Sequence, residues 1–326
     1  MIPKKLRKGD EVRVLAPARS MKLPWVEPLR EIAVKRLKEL GLKPTFGKYV
    51  SERDFFDSSA AEHRAEDLHD AFRDKSVKAI LTVIGGFNSI EVLPHLDYKL
   101  IKQSPKILCG YSDITALANG IYAKTGLVTY SGPHFFNFGE LKSFDYTLDH
   151  FKKCLFSEGP FEVKPSDKWS NDRWATDQEN RTFERNKGFY TLQEGEAKGT
   201  IIGANLVTFH ALSGTPFMPS LKDSILFIED DHEEHLYSFN RTLASLSLNP
   251  EFKGVKGIVI GRFQPESKIG GEELERVIRN NPRLRGIPIV AGVDFGHTTP
   301  LITFPIGGKA RVVADKKRPR LEILEH

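Results

Sequence analysis

Cysteine is nearly absent from this chain: 326 residues hold only Cys109 and Cys154. Two cysteines cannot form a disulfide framework or a cysteine-rich zinc site. Cys109 lies inside an apolar run, where burial raises a thiol's pKa and makes it a poor nucleophile. Long hydrophobic runs are missing too. The longest, such as Gly257-Ile-Val-Ile-Gly261 and Ile287-Pro-Ile-Val-Ala-Gly-Val293, are strand-length, well short of the roughly 20 apolar residues of a membrane-spanning helix. No apolar segment or small-residue cleavage site follows the basic start Met1-Ile-Pro-Lys-Lys-Leu-Arg-Lys, so a cytoplasmic location without a membrane partner is the expectation. An excess of one charge is lacking as well. The 48 Lys and Arg against 43 Asp and Glu leave +5, interleaved along the chain, which argues against a nucleic-acid surface. Neither G-x-G-x-x-G nor a P-loop lysine occurs, so no nucleotide cofactor is expected.

What the chain does have is a hydrophobic fraction of 40%, enough for a real core, and a repeated alternation of strand and helix signals. Glu11 to Ala16 reads as a strand ended by Pro17, Val26 to Leu40 as a helix ended by Gly41, and Ser59 to Arg73 as a helix with Ser59 as its cap. Ala79 to Ile84 and Ile107 to Cys109 are further strands. Such alternation predicts an α/β fold with a parallel sheet covered by helices, whose ligands bind at the carboxyl ends of the strands. The alternation breaks down between about Phe151 and Glu196, a polar stretch that carries Trp169 and Trp174 and reads as a linker or a binding loop. Strands then resume, predicting a second, smaller α/β domain with strands at Gly199 to Gly203, Ser224 to Ile228, Val255 to Ile260 and Ile287 to Val293. Helices are expected at 204–212, 233–246 and 271–279. Leu301 to Ala314 reads as a hairpin turning at Gly307-Gly308.

The richest segment chemically is Lys106-Ile-Leu-Cys-Gly-Tyr-Ser112-Asp-Ile-Thr115. A short apolar run stops at Gly110 and places Ser112 where a helix should begin, the pattern of a nucleophile elbow. A plain cap by Ser112 or Asp113 on the helix Ile114 to Tyr122 fits the same residues. A nucleophilic serine needs a base and a group to orient it. His297, in Asp294-Phe-Gly-His297-Thr-Thr-Pro300, and Glu229, at the end of the strand Ile225 to Ile228, both follow buried strands. Gly85-Gly86 after the strand Ala79 to Ile84 lets backbone approach a ligand or aim an N–H at an oxyanion. Metal-assisted hydrolysis is the rival chemistry, because Glu229-Asp-Asp-His232-Glu-Glu-His235 gathers five carboxylates and two histidines. His232 and His235 would share a helix face, although H-E-x-x-H spacing is absent. A non-catalytic ligand-binding protein is a third reading.

Five segments together resemble the LD-carboxypeptidases, a family of serine peptidases that includes muramoyltetrapeptide carboxypeptidases and microcin C self-immunity proteins: Gly85-Gly86-Phe-Asn-Ser, Gly110-Tyr-Ser112-Asp-Ile-Thr115, Gly203-Ala-Asn205-Leu206, Phe227-Ile-Glu229-Asp230 and Asp294-Phe-Gly-His297-Thr. They span essentially the whole chain. The resemblance implies a Ser112-His297-Glu229 triad, no metal or other cofactor, and an oxyanion hole from the backbone N–H groups of Gly86 and Asp113. It also implies a flavodoxin-like N-terminal layer joined by a linker to a C-terminal α/β domain, in a homodimer. Residues 1–155, 156–198 and 199–326 are the corresponding divisions. Two substrate classes compete: a muropeptide losing its terminal D-alanine, or an aminoacyl group amide-linked to a nucleotide-like moiety. Trp169 and Trp174, whose flat faces suit a nucleobase, and Asn205 resemble substrate contacts of the immunity branch. The chain departs from that branch at Asp230-Asp-His232-Glu.

Overall fold

A computed structural model describes all 326 residues. The first sheet is built from β1 (Glu11–Leu15), β2 (Lys43–Phe46), β3 (Val77–Thr82), β4 (Ile107–Cys109) and β5 (Thr129–Ser131). They lie in the order 2-1-3-4-5 and all neighbours are parallel, the flavodoxin-like order whose switch point falls between β1 and β3. Helices α1 (Arg30–Glu39), α2 (Ala61–Arg73), α3 (Tyr98–Gln103), α4 (Ile114–Thr125) and α5 (Asp145–Leu155) connect or follow the strands. Ser59 does not cap α2: its N-cap is Ala60, with no side-chain bond. Strand β4 is buried throughout, and Cys109 with it, so burial pushes that thiol well above its ordinary pKa.

Residues 156–198 do more than connect. They contribute β6 (Phe161–Val163), a short hairpin of β7 (Lys168–Trp169) and β8 (Glu184–Arg185), and β9 (Tyr190–Gln193). Beyond them come β10 (Gly195–Asn205), α6 (Leu206–His210), β11 (Ser224–Glu229), α7 (Leu236–Ser247), β12 (Val255–Gly261), α8 (Gly271–Asn280), β13 (Ile289–Val293), β14 (Phe304–Ile306), β15 (Lys309–Ala314) and β16 (Arg320–Glu325). The second sheet runs 6-16-15-10-11-12-13-9, with a parallel centre from β10 to β13 and antiparallel edges. With eight strands against six, it is the larger sheet.

The hairpin expected at 301–314 is not formed. After β13 the chain returns to the first sheet, where β14 pairs antiparallel with β5, turns at Gly307 with φ +90°, and re-enters the second sheet as β15. The turn glycine was legible; the two strands beside it belong to different sheets because each finds its hydrogen-bond partner far along the chain.

Helix α4 fastens the two halves together. Nine of its twelve residues are buried, as expected of a helix packed on more than one side. Asn119 donates to the carbonyl of Gly203 (2.9 Å) and accepts from the Gly203 N–H (3.1 Å), and Thr115 Oγ1 accepts from the Asn205 N–H (3.1 Å). The helix that begins just after Ser112 is thereby locked to the end of β10.

Candidate active site

Each of the three expected catalytic residues sits at the carboxyl end of a parallel strand. Ser112 follows β4, Glu229 is the last residue of β11, and His297 lies in the loop after β13. Ser112 has φ +59°, a left-handed conformation that costs a non-glycine residue about 1 kcal/mol. The strained turn aims its hydroxyl away from α4, so Ser112 Oγ lies 2.9 Å from His297 Nε2 instead of capping the helix. His297 Nδ1 is 2.9 Å from Glu229 Oε2. The Asp113 carboxylate does not cap α4 either: it accepts from the Ser89 N–H at 2.9 Å.

Two glycines make room for this line of groups. A Cβ on Gly85 would lie 3.1 Å from Ser112 Oγ, and one on Gly296 would lie 2.6 Å from Glu229 Oε2. Gly296 also has φ +110°, so only glycine satisfies both demands. The Gly86 and Asp113 N–H groups donate to no acceptor within the fold, which leaves both free beside the serine.

Electrostatics favour an activated imidazole. Burial alone would lower the His297 pKa, but the charge and hydrogen bond of Glu229, helped by Asp231 and Asp230, raise it to about 9. Glu229 is itself buried and receives a second bond, at 3.4 Å, from Asn205 Nδ2. Asp230, also buried, turns the other way and accepts from the Val207 N–H; burial beside Glu229 pushes its carboxyl well up.

The acidic segment that suggested a metal is dispersed. Glu229 faces His297, Asp230 faces α6, the His232 N–H donates to Gln264, and His235 precedes α7. No three His, Cys, Asp or Glu side chains converge as metal ligands would.

Ser112 and His297 open on a cleft of about 550 Å³. Of the tryptophans singled out in the sequence, Trp174 lines it and Trp169 does not. Trp169 lies on β7, its ring 5.0 Å beneath the Arg262 guanidinium, because hairpin pairing turns it away. Asn205 serves as the N-cap of α6 and a support of Glu229, and lines an adjoining recess of about 340 Å³ that also reaches Ser112. Sequence reading missed Arg19, Trp25 and His134, all of which line the cleft. Arg19 and Trp25 follow β1 at the switch point, a position that could have drawn attention to them. His134 is buried under Tyr111, with ring centroids 4.3 Å apart, and bonds Thr82 Oγ1 through Nδ1; burial holds its pKa well down, so it is neutral.

The wall carrying Trp174 is strapped to the loop carrying His297. Ser170 and Thr299 exchange backbone hydrogen bonds of 2.8 and 2.9 Å. The fully buried Arg181 side chain bonds Thr299 Oγ1 at 2.7 Å, pairs with Asp172 at 2.5 Å and reaches Glu140 at 3.4 Å. Asp294 anchors the other side through Ser166, Asn186 and Arg262.

Known proteins resemble this chain in sequence and fold. Residues 12–132 match the LD-carboxypeptidase N-terminal domain and residues 198–312 the LD-carboxypeptidase C-terminal domain. The putative carboxypeptidase YocD of Bacillus subtilis is 49% identical over 100% of both chains. The microcin C7 self-immunity protein MccF of Escherichia coli is 34% identical over 87% of this chain and 85% of its own. A probable murein peptide carboxypeptidase of Bacillus subtilis is 33% identical over 98% and 94%. Among solved structures, an MccF-like protein from Bacillus anthracis superposes with a TM-score of 0.98 at 51% identity, covering 100% of both chains. MccF in complex with glutamyl sulfamoyl guanosine superposes at 0.89 with 30% identity, covering 99% of this chain and 98% of its own. With both domain models matched in chain order and relatives aligned over nearly its full length, the chain belongs to the LD-carboxypeptidase family.

Proposed function

We propose that this carboxypeptidase-family hydrolase is a serine amidase in which Ser112 is the nucleophile, His297 the general base and then acid, and Glu229 the group that holds the imidazole. The observation that carries the reading is the continuous contact from Ser112 Oγ through His297 to Glu229. Neutral His297 takes the Ser112 proton at Nε2 as Oγ attacks the carbonyl carbon, while Glu229 accepts from Nδ1–H and stabilises the imidazolium. The oxyanion is held by the Gly86 and Asp113 N–H groups, both free in the fold, in the manner of preorganised donors. His297 then returns its proton to the leaving nitrogen, and water resolves the acyl-enzyme by the same base.

The substrate is a small amide, of the microcin self-immunity kind. Trp25 and Trp174 in the cleft wall offer flat faces for a nucleobase, and related MccF structures contain aspartyl sulfamoyl adenosine or glutamyl sulfamoyl guanosine. A muropeptide with a free terminal carboxylate is the second reading, favoured by the Arg19 cation in the same cleft. A cytoplasmic homodimer with units 1–155, 156–198 and 199–326 belongs to the same proposal. No helix is long and apolar enough to cross a membrane, and the matched domain models lie in the first unit and, but for residue 198, in the last. The test is a side-by-side hydrolysis assay of an L,D-tetrapeptide and an aminoacyl sulfamoyl adenosine, with Ser112→Ala as control. Turnover of neither, or full activity in Ser112→Ala, would sink the reading.

A further inference from the structure

The cleft contains a cation that forms no ion pair with any carboxylate of the protein. Arg19 Nε donates to the Gly85 carbonyl at 3.2 Å, and its Nη groups make no hydrogen bond or ion pair within the chain while the residue lines the cleft with Ser112. The carboxylates that act on it through space are Asp57, Asp113 and Glu233. Asp57 is already paired with Arg53 at 2.6 Å, Asp113 accepts from the Ser89 N–H, and Glu233, on the same cleft wall, makes no ion pair with Arg19.

The guanidinium is also held in place. It sits 5.7 Å from the ring centroids of both Trp25 and Phe87, within the range of a cation–π contact. Arg19 Cγ packs so near Gly86 that a Cβ there would come within 3.1 Å of it. Arg19 is therefore fixed against the Gly85-Gly86 backbone. A forked, unpaired guanidinium in a half-buried wall is suited to a bidentate anion.

We propose that Arg19 is a specificity-determining residue that binds an anionic group of the leaving half of the substrate, within two bonds of the scissile nitrogen. This rests on the amidase reading above. The two substrate classes share that chemistry: a C-terminal amino acid carries its carboxylate carbon two bonds from the amide nitrogen, and an acyl sulfamate carries its charge on the nitrogen itself, beside the sulfonyl oxygens. Arg19 thus reads the feature that separates a terminal amide bond from an internal one, as a carboxypeptidase must.

The test measures binding by calorimetry to the Ser112→Ala protein, with and without Arg19→Gln and Arg19→Lys. Four compounds form two pairs: an L,D-tetrapeptide acid and its C-terminal carboxamide, and aspartyl sulfamoyl adenosine and the neutral aspartyl amide of 5′-amino-5′-deoxyadenosine. The expected result is a preference of about 10- to 100-fold for the anionic member of at least one pair. Arg19→Gln collapses that ratio toward one, and Arg19→Lys retains part of it; the pair that shows the effect tells carboxylate from sulfamate. Equal affinity within both pairs, a ratio that survives Arg19→Gln, or no binding of any compound overturns the proposal. Hydrolysis by the Ser112→Ala protein would count against the nucleophile and not against Arg19.

Discussion

Gly296 and Glu229 are packed so tightly that a Cβ on the glycine would stand 2.6 Å from the carboxylate oxygen that holds His297. The loop after β13 presents the histidine, yet the glycine immediately before it in the Asp294-Phe-Gly-His297 run fixes where the acid of β11 can lie. Gly296→Ala should displace Glu229 and strain a φ of +110°. A fall of roughly 100-fold in kcat/KM is expected, the scale of a misplaced catalytic group. Steady-state kinetics on the folded variant check it; near-normal turnover would show that the packing is not needed.

The pH profile follows from His297. Its neutral form is the base, and its pKa is raised to about 9, so kcat/KM should climb with pH and level off only above about 9. Glu229→Gln removes the main raising influence and leaves burial to act, moving the limb to lower pH. The rate should fall by on the order of 10² to 10⁴. A limb unmoved by Glu229→Gln would contradict the pairing.

Ser112 ties activity to strain. Ser112→Ala and Ser112→Gly should each lose several orders of magnitude in kcat. Both lose the bond to His297, but only glycine relaxes the φ of +59°. Ser112→Gly should therefore be the more stable of the two by about 1 kcal/mol, read from paired urea unfolding curves.

Arg181 holds the strap. Arg181→Met leaves the buried Glu140 and the half-buried Asp172 without their cation, at a cost of about 3 to 5 kcal/mol, and should lower kcat/KM by loosening Thr299 beside His297. Burial raises the Glu140 carboxyl to about 7, while Asn137 and Arg181 hold it down; without Arg181 it rises further. A carboxyl with a raised folded pKa costs stability above that pKa and recovers it as pH falls. The deficit of Arg181→Met in urea melts should shrink between pH 8 and pH 5.

Chelation separates the serine scheme from metal-assisted hydrolysis. Prolonged dialysis against EDTA should leave turnover unchanged, because the acidic segment 229–235 points its side chains in several directions. Activity lost to EDTA and restored by zinc would refute the triad.

Local pattern revealed much of this site. An apolar run ending in Gly110-Tyr-Ser112, an acid closing the strand at Glu229 and a histidine after Val293 are each legible within a few residues, because strand ends and turns are set by nearby chemistry. The glycine pair Gly85-Gly86 was legible for the same reason. The tryptophans were legible only in part: Trp174 lines the cleft, but pairing of β7 with β8 carries Trp169 away from it, and Trp25, unremarked in the sequence, lines it beside Arg19. Sequence by itself determined the α/β alternation and the residue types that stand at strand ends, since those depend on periodicity and turn propensity. Only the tertiary structure decided that β14 leaves the second half to complete the first sheet, that Arg181 joins three distant segments, and that Arg19 stands unpaired beside Gly86. Apart from the Arg181–Asp172 pair, nine positions apart, those contacts link residues from 41 to more than 100 positions apart, and no local preference encodes which distant partner a strand, an ion or a ring will meet.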